Sequence, residues 1–149
     1  NVTYCGLGPN ESYVDKRRAS WHGVFSASVS QMGEREIKPQ ENGNHHDCSW
    51  ARVQGDGVAL MIVQGDGSQP ESPAELLRGF DFQALEYTAA EMTRARHDFE
   101  LQPSGFTEVS VDYMQSGIGS NSCGPELLPQ YRLDAPEFDF AITLRPQLA

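Results

Sequence analysis

The chain has 149 residues, 38% of them hydrophobic, a mean hydropathy of −0.51 and a formal net charge of −10. That length holds one domain, spanning 1–149, rather than two. Its longest apolar run, Val58 to Val63, is far below the roughly 20 residues a membrane-spanning helix needs, and its acidic surface repels phosphates, which argues against nucleic acid as a partner.

Gly and Pro punctuate the chain in the manner of all-β proteins. Val2-Thr3-Tyr4-Cys5 reads as a short strand ended by Gly6-Leu7-Gly8-Pro9. Lys16-Arg17-Arg18 is the one dense basic run; it reads as a solvated turn, with an anion site as the sharper alternative. Val24 to Ser30 alternates apolar and small polar residues, a strand pattern. Pro39 to Asn44 is a turn, because Asn42-Gly43 supplies positive φ. The His45-His46-Asp47-Cys48 stretch matches no usual zinc spacing; a solvated turn is expected, with Cys48 beginning a strand and buried. Trp50 to Val53 and Val58 to Gln64 read as strands, the second flanked on both sides by Gln-Gly-Asp-Gly.

Helix is scarce. Ser72-Pro73-Ala74-Glu75 predicts a single turn to Leu77 or Arg78, with Pro73 at the first helical position. Thr88-Ala89-Ala90-Glu91 is a capping box, with Tyr87 and Met92 spaced as a hydrophobic staple, and its helix should run to about His97. Between these turns, Phe80 to Tyr87 alternates towards its start. Val109 to Tyr113 and Phe138 to Leu144 alternate cleanly. Period two means one face packs on a partner layer. The expected architecture is an antiparallel β-sandwich with one short helix across an end.

The three cysteines, Cys5, Cys48 and Cys123, are odd in number and widely spaced. They fit free, mostly buried thiols better than a disulfide framework, which points to a reducing, cytoplasmic setting. No basic start followed by a long apolar core opens the chain, and with Asn1 rather than Met at position 1 this carries no information on compartment.

Four stretches resemble, in order, the C-terminal domain of glycoside hydrolase family 2 β-galactosidases. Gly6-Leu7-Gly8-Pro9-Asn10-Glu11-Ser12-Tyr13-Val14-Asp15-Lys16-Arg17 is similar to the family's Gly-x-Gly-Pro-x-Glu-x-Tyr-x-Asp-Arg, with Lys16 where Arg is usual. Pro39 to Asn44, followed by Trp50, is similar to Pro-x-Glu-x-Gly-Asn before a strand. Tyr87 to Glu91 with Ala95 and His97 resembles the family's short helix. Met114 to Pro125 resembles its Gly-x-Gly-x-x-x-Trp-or-Cys-Gly-Pro loop, with Cys123 at the Trp-or-Cys place. Each motif alone is weak. Four in register across nearly the whole chain are specific.

The resemblance implies a galactose-mutarotase-like supersandwich of which this chain is the later part. It implies a parent enzyme that hydrolyses terminal non-reducing β-D-galactose residues of lactose-type substrates with retention, commonly as a homo-oligomer. It places both catalytic Glu residues, and the Mg and Na the family often uses, in a barrel this chain lacks; no cofactor is expected within the segment. The expected partners are the parent's remaining domains and a galactoside.

The residues themselves offer one functional candidate, the loop from Gly117 to Pro125. Its glycines let backbone approach a ligand. Asn121 and Ser122 carry donors and acceptors suited to sugar hydroxyls, and Cys123 stands where some relatives place a sugar-stacking Trp. The bland alternative is a Gly-rich connection between strands. No residue is singled out as catalytic. Glu11, Tyr13 and Asp15, beside Arg17 and Arg18, read as a hydrogen-bonded turn with Asp15 accepting backbone N–H bonds. Trp21, Trp50, Phe80 and Phe82 could stack sugars, but alternating Phe residues in a strand read as core. A stand-alone carbohydrate-binding module is the alternative function, and a mutarotase-like enzyme ranks last because no motif places His22, His45, His46 or His97. A truncated sandwich should also leave an unpaired edge or an uncovered apolar face.

Overall fold

The computed structural model describes residues 1–65, 79–119, 121 and 124–148. They form strands β1 (Val2–Gly8), β2 (Trp21–Ala27), β3 (His45–Cys48), β4 (Trp50–Gln54), β5 (Val58–Gln64), β6 (Phe80–Leu85), β7 (Glu108–Asp112) and β8 (Ile142–Leu148), with a short helix α1 (Ala89–Arg94). The strands make two antiparallel sheets, ordered β2-β1-β4-β5-β8 and β3-β6-β7. This is the expected all-β sandwich. The turn expected at Ser72–Arg78 lies outside the described residues.

Alternation decides which side chains enter the core. β1 buries Val2, Tyr4, Gly6 and Gly8 and turns Thr3, Cys5 and Leu7 outward. Val2 and Tyr4 meet Ala51 and Ile62 of the same sheet and Phe80, Phe82 and Ala84 of the facing one. The alternating Phe pair is core, as its spacing implies.

β1 runs further than its composition suggests. Gly6 and Gly8 continue the strand, paired with Gly23 and Trp21 of β2. Gly6 is required by packing rather than by a turn: a Cβ there would lie 2.4 Å from the Cys48 sulfur. β2 accordingly lies three residues earlier than the Val24–Ser30 pattern indicates, because its register follows the whole of β1. Ser28 instead opens a 3-10 turn at Val29–Gln31, its N–H donating to Gln31 Oε1 at 3.0 Å.

β8 also departs from expectation. It occupies Ile142–Leu148, paired residue for residue with Gln64–Val58. Phe138 and Phe140 precede it and pack on Tyr113, Phe138 stacked at 4.4 Å between ring centroids. β8 lies at an edge of its sheet, where Pro146 is tolerated.

His45 to Cys48 is not a solvated turn. It is β3, hydrogen-bonded to β6, and Cys48 closes it, fully buried, rather than opening a strand. The polar residues are accommodated because Asp47 takes positive φ and breaks the register. Gly79 accompanies it closely: a Cβ there would come 2.3 Å from the Asp47 carbonyl carbon.

Thr88 caps α1, accepting the Glu91 N–H at 3.1 Å, but the reciprocal half of the capping box is not made, because the Glu91 side chain is engaged elsewhere. The helix stops at Arg94 rather than His97, because Ala95 turns to extended geometry. Glu91 pairs with Arg94 and accepts from Gln102 N–H at 3.4 Å.

The smaller sheet covers only part of the larger one. On the inner face of the β5–β8 pair, Ile62 is buried, whereas Val58, Leu144 and Leu148 are exposed, Leu148 by 94%. An uncovered apolar face of this kind is what a partial sandwich leaves.

Candidate functional site

The turn after β1 and the Gly-rich loop meet. Tyr13 and Lys16 exchange two backbone hydrogen bonds, both 3.0 Å, closing a tight turn around Val14 and Asp15. The Asp15 carboxylate leaves this turn and accepts two consecutive backbone N–H groups, Ile118 at Oδ1 (3.0 Å) and Gly119 at Oδ2 (3.1 Å). Asp15 therefore accepts backbone N–H bonds, as the turn reading expects, but from a loop over a hundred residues away. Gly117 makes the approach possible, since a Cβ there would fall 2.4 Å from Asp15 Oδ2.

The turn is fastened to the core. Ser12 N–H donates to Asn44 O at 2.7 Å, Ser12 Oγ donates to Leu7 O at 3.0 Å and accepts the His46 N–H at 2.9 Å. Glu11 is buried; it pairs with Lys16 and accepts the Gly43 N–H at 2.8 Å. Arg17 and Arg18 take no part and are exposed. The Glu11 pairing raises the Lys16 pKa against a smaller opposing effect of desolvation.

Asp81 is the centre of a second, buried cluster. All of β6 is buried, on both faces, so its polar residues are enclosed. Asp81 Oδ1 accepts Asn44 Nδ2 at 3.1 Å and lies 2.7 Å from His46 Nδ1; its Oδ2 accepts the Gln115 N–H at 2.8 Å. Gln115 lies three residues past the end of β7, in the segment leading into the Gly-rich loop. Its side-chain amide donates to Asp112 Oδ2 at 3.0 Å and to Asn44 Oδ1 at 3.4 Å. A polar cleft of about 340 Å³ runs along this outer face, lined by Gln83, Ser110, Asp112, Met114 and Gln115 among others.

His45 lies apart from the loop, 2% exposed and packed on the Tyr4 ring at 4.2 Å. Its Nδ1 lies 3.4 Å from Leu7 O, and its Nε2 has no partner among the described residues. Desolvation dominates and lowers its pKa to about 4. Burial likewise pushes the Tyr13 hydroxyl well up, with Glu11 adding to it. Cys5 and Cys48 are free thiols, and burial pushes Cys48 up.

Of the three residues expected to face a sugar, Asn121 is exposed with φ 61; Ser122 and Cys123 lie outside the described residues. Among the described residues no three His, Cys, Asp or Glu side chains cluster to hold a metal ion, and no helix is long and apolar enough to cross a membrane. Asp81 and Gln115 were not visible as site residues in the sequence. The one signal was the Phe-Asp-Phe-Gln order of a strand whose neighbours leave no exposed face.

Residues 1–144 match the family model described as beta galactosidase small chain. The chain belongs to this family. It is 38% identical over 143 residues to a β-galactosidase of Actinobacillus pleuropneumoniae and 37% identical over 144 residues to one of Staphylococcus xylosus. It is also 32% identical over 142 residues to a β-galactosidase of Kluyveromyces lactis. These alignments cover 95–97% of this chain but only 12–13% of each relative. The chain spans about an eighth of the length of the curated relatives it matches.

Proposed function

We propose that this chain is a non-catalytic sandwich segment of a β-galactosidase that hydrolyses terminal non-reducing β-D-galactose residues of lactose-type substrates with retention. In such a reaction one carboxylate attacks the anomeric carbon while a second, about 5–5.5 Å away, protonates the leaving oxygen; water then releases the sugar from the covalent intermediate. Both carboxylates belong to the parent's barrel in this reading. The segment supports that barrel and lines the acceptor subsite through the loop from Gly117 to Pro125.

The observation that carries the reading is a match along nearly the whole chain to a small part of enzymes named β-galactosidase. Two further features support it. The buried carboxylates here are occupied structurally: both oxygens of Glu11 and of Asp81 accept hydrogen bonds or ion pairs within the fold. The exposed Val58, Leu144 and Leu148 suit a sandwich continued by the parent's remaining domains, with the galactoside as the other partner. Free Cys5 and Cys48 suit a reducing, cytoplasmic setting.

The test is kinetic. In the full-length enzyme, replacing residues 117–125 with a Gly/Ser linker should raise KM for lactose. Unchanged lactose kinetics would remove the pocket role. Calorimetric heat from the isolated chain with galactose would instead favour an independent binding module.

A further inference from the structure

We propose that Asp15 is a positioning residue for the acceptor-side wall: its carboxylate holds the backbone at Ile118 and Gly119, two residues before the exposed Asn121. This rests on the pocket-wall reading of the loop.

The geometry is a fork. One carboxylate takes two neighbouring N–H groups, one on each oxygen, at 3.0 and 3.1 Å. Hydrogen bonds to an ionised acceptor are about twice as strong as neutral ones. Gly117 shows how tightly the loop is drawn in, since its missing Cβ would overlap the Asp15 carboxylate and crowd Leu127 Cδ1 at 2.6 Å. Two residues beyond the grip, Asn121 turns through positive φ and is exposed.

The grip is itself anchored. Asp15 sits in the turn closed by Tyr13 and Lys16, and Ser12 ties that turn to Asn44, which donates to Asp81. Asp81 also accepts the Gln115 N–H. The loop is therefore held at its root by Asp81 and in its arc by Asp15, and Asn44 joins the two anchors. The near end of the loop is also tied to the segment that follows it, Gly117 N–H donating to Tyr131 O at 3.3 Å and Leu133 N–H to Ser116 Oγ at 3.2 Å. With both oxygens engaged by backbone, Asp15 acts through the loop rather than on the sugar.

The experiment uses the full-length enzyme with Asp15→Asn, Asp15→Glu and the double variant Asn121→Ala/Ser122→Ala. Amide exchange by mass spectrometry follows peptides across 115–127; lactose and an aryl β-galactoside give KM and kcat. Asp15→Asn should speed exchange at Ile118 and Gly119 by about ten- to a hundredfold, while exchange in β1, β4 and β5 stays unchanged as the control for folding. KM for lactose should rise more than KM for the aryl galactoside, and more than kcat falls. Asp15→Glu, which keeps the charge, should recover part of both effects. Unchanged exchange at 118–119 in Asp15→Asn overturns the proposal. So does faster exchange with lactose KM unchanged while the double variant raises it; in that case the pocket-wall reading stands alone. If the double variant leaves lactose kinetics unchanged, the pocket-wall reading falls, and the role of Asp15 in substrate binding falls with it.

Discussion

Asp15 and Gly119, 104 residues apart in the chain, are joined by a 3.1 Å hydrogen bond from the glycine N–H to the aspartate Oδ2. That bond connects the first and the last of the family-like motifs. It also depends on a missing atom: Gly117, two residues earlier, lies where any Cβ would overlap the same carboxylate. Gly117→Ala should therefore displace the loop from Asp15. We expect a loss of about 1–3 kcal/mol, the usual cost of overpacking, seen in urea denaturation together with faster amide exchange at Ile118 and Gly119.

Asp81 is 2% exposed and serves Asn44, His46 and Gln115 at once. Asp81→Ala leaves those groups without their acceptor. A loss of about 1–3 kcal/mol is expected, the scale for leaving a buried donor unsatisfied. Asp81→Asn keeps one acceptor oxygen and should cost less. Chemical denaturation of the two variants checks the order, and equal losses would show that the cluster is not centred on Asp81.

His45 makes stability depend on pH in a defined window. Its folded pKa is about 4 against an ordinary value of 6.5, chiefly through desolvation. Between those values the unfolded chain binds a proton that the folded chain refuses, so stability falls as pH drops. The contribution is complete above pH 6.5 and is lost by about pH 4, amounting to about 3 kcal/mol at 1.36 kcal/mol per unit. His45→Phe should flatten denaturation midpoints between pH 6.5 and 4. A slope as steep as in the unsubstituted chain would assign the effect to other groups.

Gly6 and Gly79 both sit where a Cβ does not fit, but against different atoms. At Gly6 the nearest atom is the Cys48 sulfur, a side-chain atom; at Gly79 it is Asp47 backbone, at 2.3 Å. A side chain can rotate aside, whereas the β3 backbone is held by its pairing with β6. Gly79→Ala should therefore destabilise more than Gly6→Ala, with both within about 1–3 kcal/mol or somewhat above it. Comparing the two thermal midpoints decides this.

Local patterns were readable wherever one residue's neighbours in sequence were also its neighbours in space. β5 matches its apolar run, and Thr88 accepts the Glu91 N–H that its motif implies. Readings failed where a distant strand decided the outcome. Gly6 and Gly8 look like a strand end but continue β1, because β2 pairs with them. His45 to Cys48 looks like a solvated turn but is enclosed, because β6 draws it into the smaller sheet.

The sequence by itself determined the antiparallel strands, the helix cap, the Phe80–Phe82 core and, through motifs in order, the family. Those features rest on local periodicity and hydrogen bonding within a few residues. Only the tertiary structure decided that Asp15 takes hold of Ile118 and Gly119, and that Asp81 gathers Asn44, His46 and Gln115. A carboxylate's value depends on which donors burial leaves within reach. That is settled by strand register and by which faces are covered, and neither is written in the spacing of the residues that meet.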